Sequence, residues 1–225
     1  MIAAQDSTEG LTRTRKIRIL IIDDHAVVRQ GLKTILSEIP GVQVAGEAGD
    51  GADALRLLRT QRWGLVLLDI SLPGKSGLEL LKVIKSEHPT TPVLVLSMYP
   101  EDQYALRVLK SGADGYLTKE SAPDQLVHAV RKVATGGKYI SQAVAEKLAS
   151  ELVANRPGTL HDALSNREFE ILRLIASGKT LTQIAEDIRL SVKTVSTYRT
   201  RIMAKTGLQN NAEITHYAIK NGLVQ

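Results

Sequence analysis

Four short apolar runs in this 225-residue chain each stop at a side chain with chemical use. Ile17 to Ile22 stops at Asp23 and Asp24, Leu65 to Leu68 at Asp69, Val93 to Leu96 at Ser97, and Gly115 to Thr118 at Lys119. Aliphatic runs of this length, bounded by turn residues, are what strands of a parallel sheet buried on both faces require. Amphipathic stretches separate them, so the pattern is that of repeated βα units. It predicts strands over 17–22, 42–47, 65–69, 93–96 and 115–118, and helices over 26–37, 51–61, 77–87, 102–110 and 123–134. Pro73-Gly74, Pro89, Pro92 and Gly136-Gly137 punctuate the elements as breakers do. The expected class is α/β, flavodoxin-like, with sheet order 2-1-3-4-5.

In such a sheet ligands bind beyond the C-terminal strand ends, where the strand order reverses. Asp23, Asp24 and Asp69 would meet there. Ionised carboxylates crowded together repel unless a cation intervenes. Magnesium, held by one or two carboxylates beside a phosphate, suits the set. One acid can also be a nucleophile, and Asp69 is the candidate, since an attacking carboxylate gives an acyl phosphate without a general base. Lys119 would neutralise a phosphoryl oxygen and Ser97 would donate a hydrogen bond. His25 reads as a helix-start residue. Each group also has an ordinary reading: Asp23, Asp24 and Ser97 as helix caps, Asp69 as turn chemistry before Pro73-Gly74, Lys119 as a solvated cation. Singly these are even alternatives; jointly they account poorly for the coincidence.

Composition excludes some chemistry. With no cysteine, disulfides, thiolate nucleophiles and cysteine-ligated zinc are impossible. No apolar run approaches the roughly 20 residues that cross a bilayer, and Met1 to Lys16 lacks the apolar stretch of a secretory signal. A cytoplasmic protein is expected, without membrane partners. The net charge of +5 is modest, but Arg189, Lys193, Arg199, Arg201 and Lys205 fall in a segment without an acid.

Residues 1–15 are expected to be a flexible tail, 16–139 the α/β domain, 140–163 a helical linker and 164–225 a second domain. In the linker Val144, Leu148 and Leu152 recur at helical spacing before Arg156-Pro157-Gly158 breaks it. The second domain reads as four helices. Ser165/Glu168, Thr180/Gln183 and Asn210/Glu213 have capping-box spacing, Ser191 is a simple N-cap, and Gly178 and Gly207 end helices. Helices over 182–188 and 192–205, a short turn apart with Ala185 at their crossing, have helix-turn-helix spacing. Ser196, Thr197, Thr200 and Arg201 share one face, flanked by Lys193 and Lys205, while Val195, Ile202 and Met203 turn inward. Such a face suits duplex DNA; for a lone basic stripe a solvated amphipathic helix is the better reading.

Residues 16–138 resemble a bacterial response-regulator receiver domain, on Ile21 to His25, Leu65 to Gly77, Val95 to Met98 and Gly112 to Lys119. The resemblance implies that Asp69 is the phosphoacceptor, that Asp23, Asp24, Asp69 and the Ser71 carbonyl hold Mg2+, and that Ser97, Tyr116 and Lys119 sense the phosphate. Tyr116 would be the switch aromatic, turning inward when Ser97 moves; otherwise it is an edge-strand tyrosine with a wet hydroxyl. Many receivers have proline, often through a cis bond, where Glu120 stands. Residues 164–224 are similar to LuxR-type DNA-binding domains, on Leu164 to Glu168, Gly178 to Ala185 and Leu190 to Lys205. The implied DNA contacts are Lys193, Ser196, Thr197, Thr200, Arg201 and Lys205. Tyr198, Ser196 and Thr206 depart from histidine, lysine and leucine, and Thr206 is expected to lose some packing. Together these place the chain with the NarL/FixJ class of transcriptional regulators. They imply a sensor histidine kinase and promoter DNA as partners, a homodimer when phosphorylated, and no catalytic residues. The rivals are a phosphatase or phosphotransferase, which usually needs a second carboxylate where Ser71 stands, and a protein-binding adaptor.

Overall fold

A computed structural model describes residues 16–72, 76–154 and 159–224. The first part is a five-stranded parallel sheet in the order β2-β1-β3-β4-β5. Its strands are β1 (Ile17–Ile22), β2 (Val42–Ala48), β3 (Leu65–Asp69), β4 (Val93–Ser97) and β5 (Gly115–Thr118). Between and after them run α1 (Ala26–Ser37), α2 (Gly51–Thr60), α3 (Gly77–Glu87), α4 (Glu101–Lys110) and α5 (Pro123–Ala134). Order and elements agree with the sequence reading to within a residue or two.

Side-chain alternation along the strands divides the interior into two layers. Ile19, Ile21, Leu65, Leu67, Leu94, Leu96 and Leu117 join Leu32 and Leu36 of α1 and Leu126 and Val130 of α5. Leu20, Ile22, Val66, Leu68, Val93, Val95 and Tyr116 pack the other way, with residues of α2, α3 and α4. Fully covered faces explain why these strands are runs of aliphatics rather than alternating patterns. Register then sets the functional edge: Ile22 pairs with Leu68, Asp69 with Leu96, and Ser97 with Thr118, so the polar strand tips stand side by side.

The chain continues into α6 (Gln142–Ala154), which runs beside α4, buries Val144 and packs Leu148 against the core. The helical domain comprises a 3-10 turn (Leu160–Ala163), α7 (Asn166–Ala176), α8 (Leu181–Asp187), α9 (Val192–Thr206) and α10 (Asn211–Lys220). Ser165/Glu168 and Thr180/Gln183 form reciprocal capping boxes, and Ser191 caps α9 through the Thr194 amide. Asn210 accepts from the Glu213 amide, but Glu213 returns to the amide of Gln209 rather than to that of Asn210. The left-handed conformations of Gly178 (φ 83) and Gly207 (φ 75) end α7 and α9. Thr206 is buried without polar loss, because its hydroxyl donates to Ile202 O at 2.7 Å. The expected tail over 1–15, the Pro73-Gly74 turn and the Arg156-Pro157-Gly158 break lie outside the described residues. Among the described residues no peptide bond is cis, Lys119–Glu120 included, and no helix is long and apolar enough to cross a membrane.

Candidate functional site

One local device recurs at three strand tips. Asp23 Oδ1 accepts the His25 amide (2.8 Å), Asp69 Oδ1 the Ser71 amide (2.9 Å) and Ser97 Oγ the Tyr99 amide (3.1 Å). Each side chain closes a turn on the residue two positions on. The turn reading of Asp69 is therefore correct locally, whereas the cap reading of Asp23, Asp24 and Ser97 is not: α1 and α4 start after His25 and Pro100, and neither helix has a side-chain cap. Turn chemistry does not exhaust these residues. Once Oδ1 is tied to the backbone, the carboxylate plane is fixed and Oδ2 is aimed outward from the strand end.

Those second oxygens converge on Lys119, whose Nζ lies 2.6 Å from Asp23 Oδ2 and 2.7 Å from Asp69 Oδ2. The aspartate side chains are 2% and 1% exposed and the lysine 9%, so Lys119 is not a solvated cation. Burial works against its ammonium, but the two acids hold its pKa above the usual value. One lysine shared by two acids offsets neither fully. Burial accordingly pushes the Asp69 carboxyl up, against the pull of Lys119 and the Ser71 amide, with the nearby Asp23 charge adding to the rise.

Asp24 completes the cluster. Ligand atoms of Asp23, Asp24, His25 and Asp69 all lie within 4.8 Å of one another. Asp24 Oδ1 is buried and accepts no hydrogen bond, although His25 Nδ1 lies 2.9 Å away. A buried carboxylate oxygen without a donor, beside two further carboxylates, fits a hard oxygen-seeking cation. His25 is the N-terminal flank of α1, as expected, but its ring also stands in this group. Glycine at 77 brings α3 close: a Cβ there would meet Asp69 O at 2.2 Å, so any side chain would displace the Asp69 backbone.

Tyr116 differs from the wet edge tyrosine that was the alternative. Its ring is fully buried and its hydroxyl donates to Tyr99 O at 2.7 Å. Burial pushes its phenol up. Tyr116 and Ser97 thus hold the same loop residue, one through its carbonyl and one through its amide.

Tyr99 carries that loop to the helical domain, a connection the sequence did not reveal. Its ring stacks on Tyr104 at 4.4 Å, Tyr104 meets the edge of Phe169 at 5.3 Å, and the Arg173 guanidinium lies 5.1 Å from both tyrosine rings. The Tyr99 hydroxyl donates to Glu170 Oε1 (3.1 Å). Arg107 of α4 lies over the Phe169 ring and donates to Leu164 O (2.7 Å) and His161 O (2.6 Å). In a chain with six tyrosines and one phenylalanine, four of these seven rings fall at or beside this seam. That scarcity was the available signal, but periodicity could not say which elements would meet.

On α9, Lys193, Ser196, Thr197, Thr200, Arg201 and Lys205 are all exposed, whereas Val195 and Ile202 are fully buried and Met203 is half-buried. The predicted face is therefore free toward solvent. Its hydroxyls are partly engaged: Thr197 and Thr200 donate to Lys193 O and Ser196 O. Lys205 is tied to Glu168 Oε2 at 2.7 Å. Although burial pushes the Glu168 carboxyl up, Lys205 and Ser165 hold it below its usual value.

Comparison with known proteins gives two family matches, "Response regulator receiver domain" over residues 19–131 and "Bacterial regulatory proteins, luxR family" over 162–218. Response regulator UvrY of Escherichia coli K12 is 37% identical over 92% of this chain and 95% of its own length. Response regulator GacA of Pseudomonas aeruginosa is 36% identical over 92% and 98%. Among solved structures, RcsB of Salmonella typhimurium superposes with a TM-score of 0.66 at 28% identity, covering 92% of this chain and 98% of that one. A structure of RcsB from Salmonella enterica serovar Typhimurium, bound to a promoter in the presence of a phosphomimetic, gives 0.57 at 29% identity, covering 90% and 97%.

Proposed function

The chain belongs to the response regulators that join a receiver domain to a LuxR-type DNA-binding domain and regulate transcription, and on that premise we propose that Asp69 is its phosphoacceptor. In this reading 16–139 is the receiver, 140–163 the connector and 164–225 the DNA-binding domain, acting in the cytoplasm. The donor is the phosphohistidine of a sensor histidine kinase. An Asp69 oxygen forms the new P–O bond as the donor's P–N bond breaks and the imidazole departs. The observation that carries this is the fixed Asp69 carboxylate: Oδ1 is held by the Ser71 amide, so Oδ2, facing the ammonium, is the oxygen left to attack. Lys119 follows the charge from carboxylate to phosphoryl group, and Ser97 exchanges the Tyr99 amide for a phosphoryl oxygen.

Asp23, Asp24, Asp69 and the Ser71 carbonyl are the residues that would hold Mg2+, which when bound supplies charge neutralisation on the transferring group. The role of the protein is stoichiometric acceptance of phosphate, without a turnover residue. When Ser97 releases the Tyr99 amide, the loop that Tyr116 and Glu170 also hold is free to move, and the contact with α7 changes with it. DNA contact falls to Lys193, Ser196, Thr197, Thr200, Arg201 and Lys205, and a phosphorylated homodimer would match two-fold promoter sites. The test is Asp69→Asn: with a small acyl-phosphate donor and Mg2+, wild type gains mass from one phosphoryl group and promoter affinity, and the variant gains neither. Equal phosphorylation of both proteins would remove Asp69 from the mechanism.

A further inference from the structure

The mouth of the acid cluster is roofed by the helical domain. A cavity of about 310 Å³ has Asp24, His25 and Ser71 on one wall and Lys179, Ile188 and Arg189 among the residues of the other. Tyr99 and Glu170, already joined by a hydrogen bond, line it too, and from the helical side Arg189 reaches the acid cluster: its Nη2 lies 3.3 Å from Asp24 Oδ2. Arg189 stands in the turn between α8 and α9 at φ 51, the one positive φ outside glycine among the described residues. Left-handed backbone is disfavoured for an arginine. The turn is closed by backbone bonds, Arg189 N to Glu186 O and Leu190 N to Ala185 O, and it projects the guanidinium toward the other domain.

The three acids therefore draw their cations from different places. Asp23 and Asp69 share Lys119 from their own sheet, whereas Asp24 takes Arg189 from the helix-turn-helix. We propose that Arg189 and a divalent cation compete for Asp24, so that metal loading of the cluster and docking of the helix-turn-helix turn oppose each other. This rests on the reading of Asp23, Asp24 and Asp69 as the metal site. With Lys119 and Arg189 in place the three carboxylates keep one uncompensated negative charge. A divalent ion together with Lys119 offsets all three, and the guanidinium then faces a neutral centre with a cation beside it. Arg189 is 65% exposed, so solvent screens the pair and the device is a bias rather than a lock. Linkage makes the bias reciprocal: whatever factor Arg189 takes from metal affinity, the metal takes from docking.

The test is a MgCl2 titration of the full 15N-labelled chain at constant ionic strength. The amide resonances of Asp24 and Ser71 report the metal, and those of Leu190 and Ser191 report the turn. Arg189→Asn is the variant, since asparagine tolerates left-handed backbone, and an unchanged thermal melt verifies its fold. Lys179→Ala is the control, because Lys179 lines the same cavity but pairs with Asp187. Arg189→Asn should tighten Mg2+ roughly threefold, while Lys179→Ala matches wild type. In wild type Mg2+ should shift Leu190 and Ser191; in Arg189→Asn these should begin shifted and ignore Mg2+. Equal midpoints in wild type and Arg189→Asn, with normal saturation at Asp24, would overturn the competition and leave the metal site standing. No Mg2+ response at Asp24 or Ser71 in any protein would overturn both.

Discussion

Methionine at position 119 keeps much of the lysine stem and removes the ammonium that joins Asp23 to Asp69 at 2.6 and 2.7 Å. None of the three side chains is more than 9% exposed, so the change strands two buried carboxylates beside a third. Breaking such a buried pair costs about 3–5 kcal/mol, because the remaining charge stays in a poorly hydrated place. The loss is electrostatic and so has a direction in pH. Burial already raises the Asp69 carboxyl and Lys119 opposes the rise; without the lysine it climbs further. A folded-state pKa above the unfolded one gives stability that is complete below the unfolded value and lost as pH rises through the folded value. Lys119→Met should therefore lag wild type least near pH 4 and by the full amount at neutral pH. A divalent cation at about a hundred times its Kd should return about 2.7 kcal/mol. Trp63, the single tryptophan and buried in the receiver, reports the transition in urea. A deficit equal at both pH values and indifferent to MgCl2 would refute the coupling of these groups.

Three other expectations follow from named contacts. Arg201→Ala removes an exposed cation from α9; a salt series of promoter binding should show weaker affinity, with a slope reduced by about 1 if the contact is to phosphate. Asp114 accepts from Lys85 and Lys138 at 2.6 Å each and from the Val93 amide at 2.8 Å. Burial pushes its carboxyl up, yet these donors hold it below the usual value, so its stabilisation is present above the unfolded pKa and lost as pH falls through the folded one. Asp114→Asn should cost about 2 kcal/mol at neutral pH and almost nothing in strong acid, as denaturation at the two extremes would register. Arg107→Ala deletes two donors to backbone carbonyls and the contact over Phe169, weakening domain docking by about 2 kcal/mol; faster hydrogen exchange at the start of α7, without a change in receiver stability, is the expected reading.

Composition and periodicity alone dictated the strands, the helices between them and the identity of the acids, because a strand buried on both faces has few permissible residues and its polar tip stands out against them; the order of the strands came from the likeness to flavodoxin-like folds. The face of α9 was legible for a similar reason: Val195 and Ile202 had to be buried, which left Ser196, Thr200 and Arg201 outside. Tyr116 was not settled that way, since an edge-strand tyrosine can point to water or inward, and only the position of the Tyr99 carbonyl chooses. The same holds for Lys119, whose two partners sit 96 and 50 positions away in the chain and meet it through parallel register. Least legible of all was the seam between domains. Tyr99, Arg107, Phe169 and Arg189 follow no period relative to one another, and their contacts depend on how two finished surfaces meet. Local chemistry is written residue by residue; the pairing of distant side chains is decided by packing, which no stretch of sequence contains.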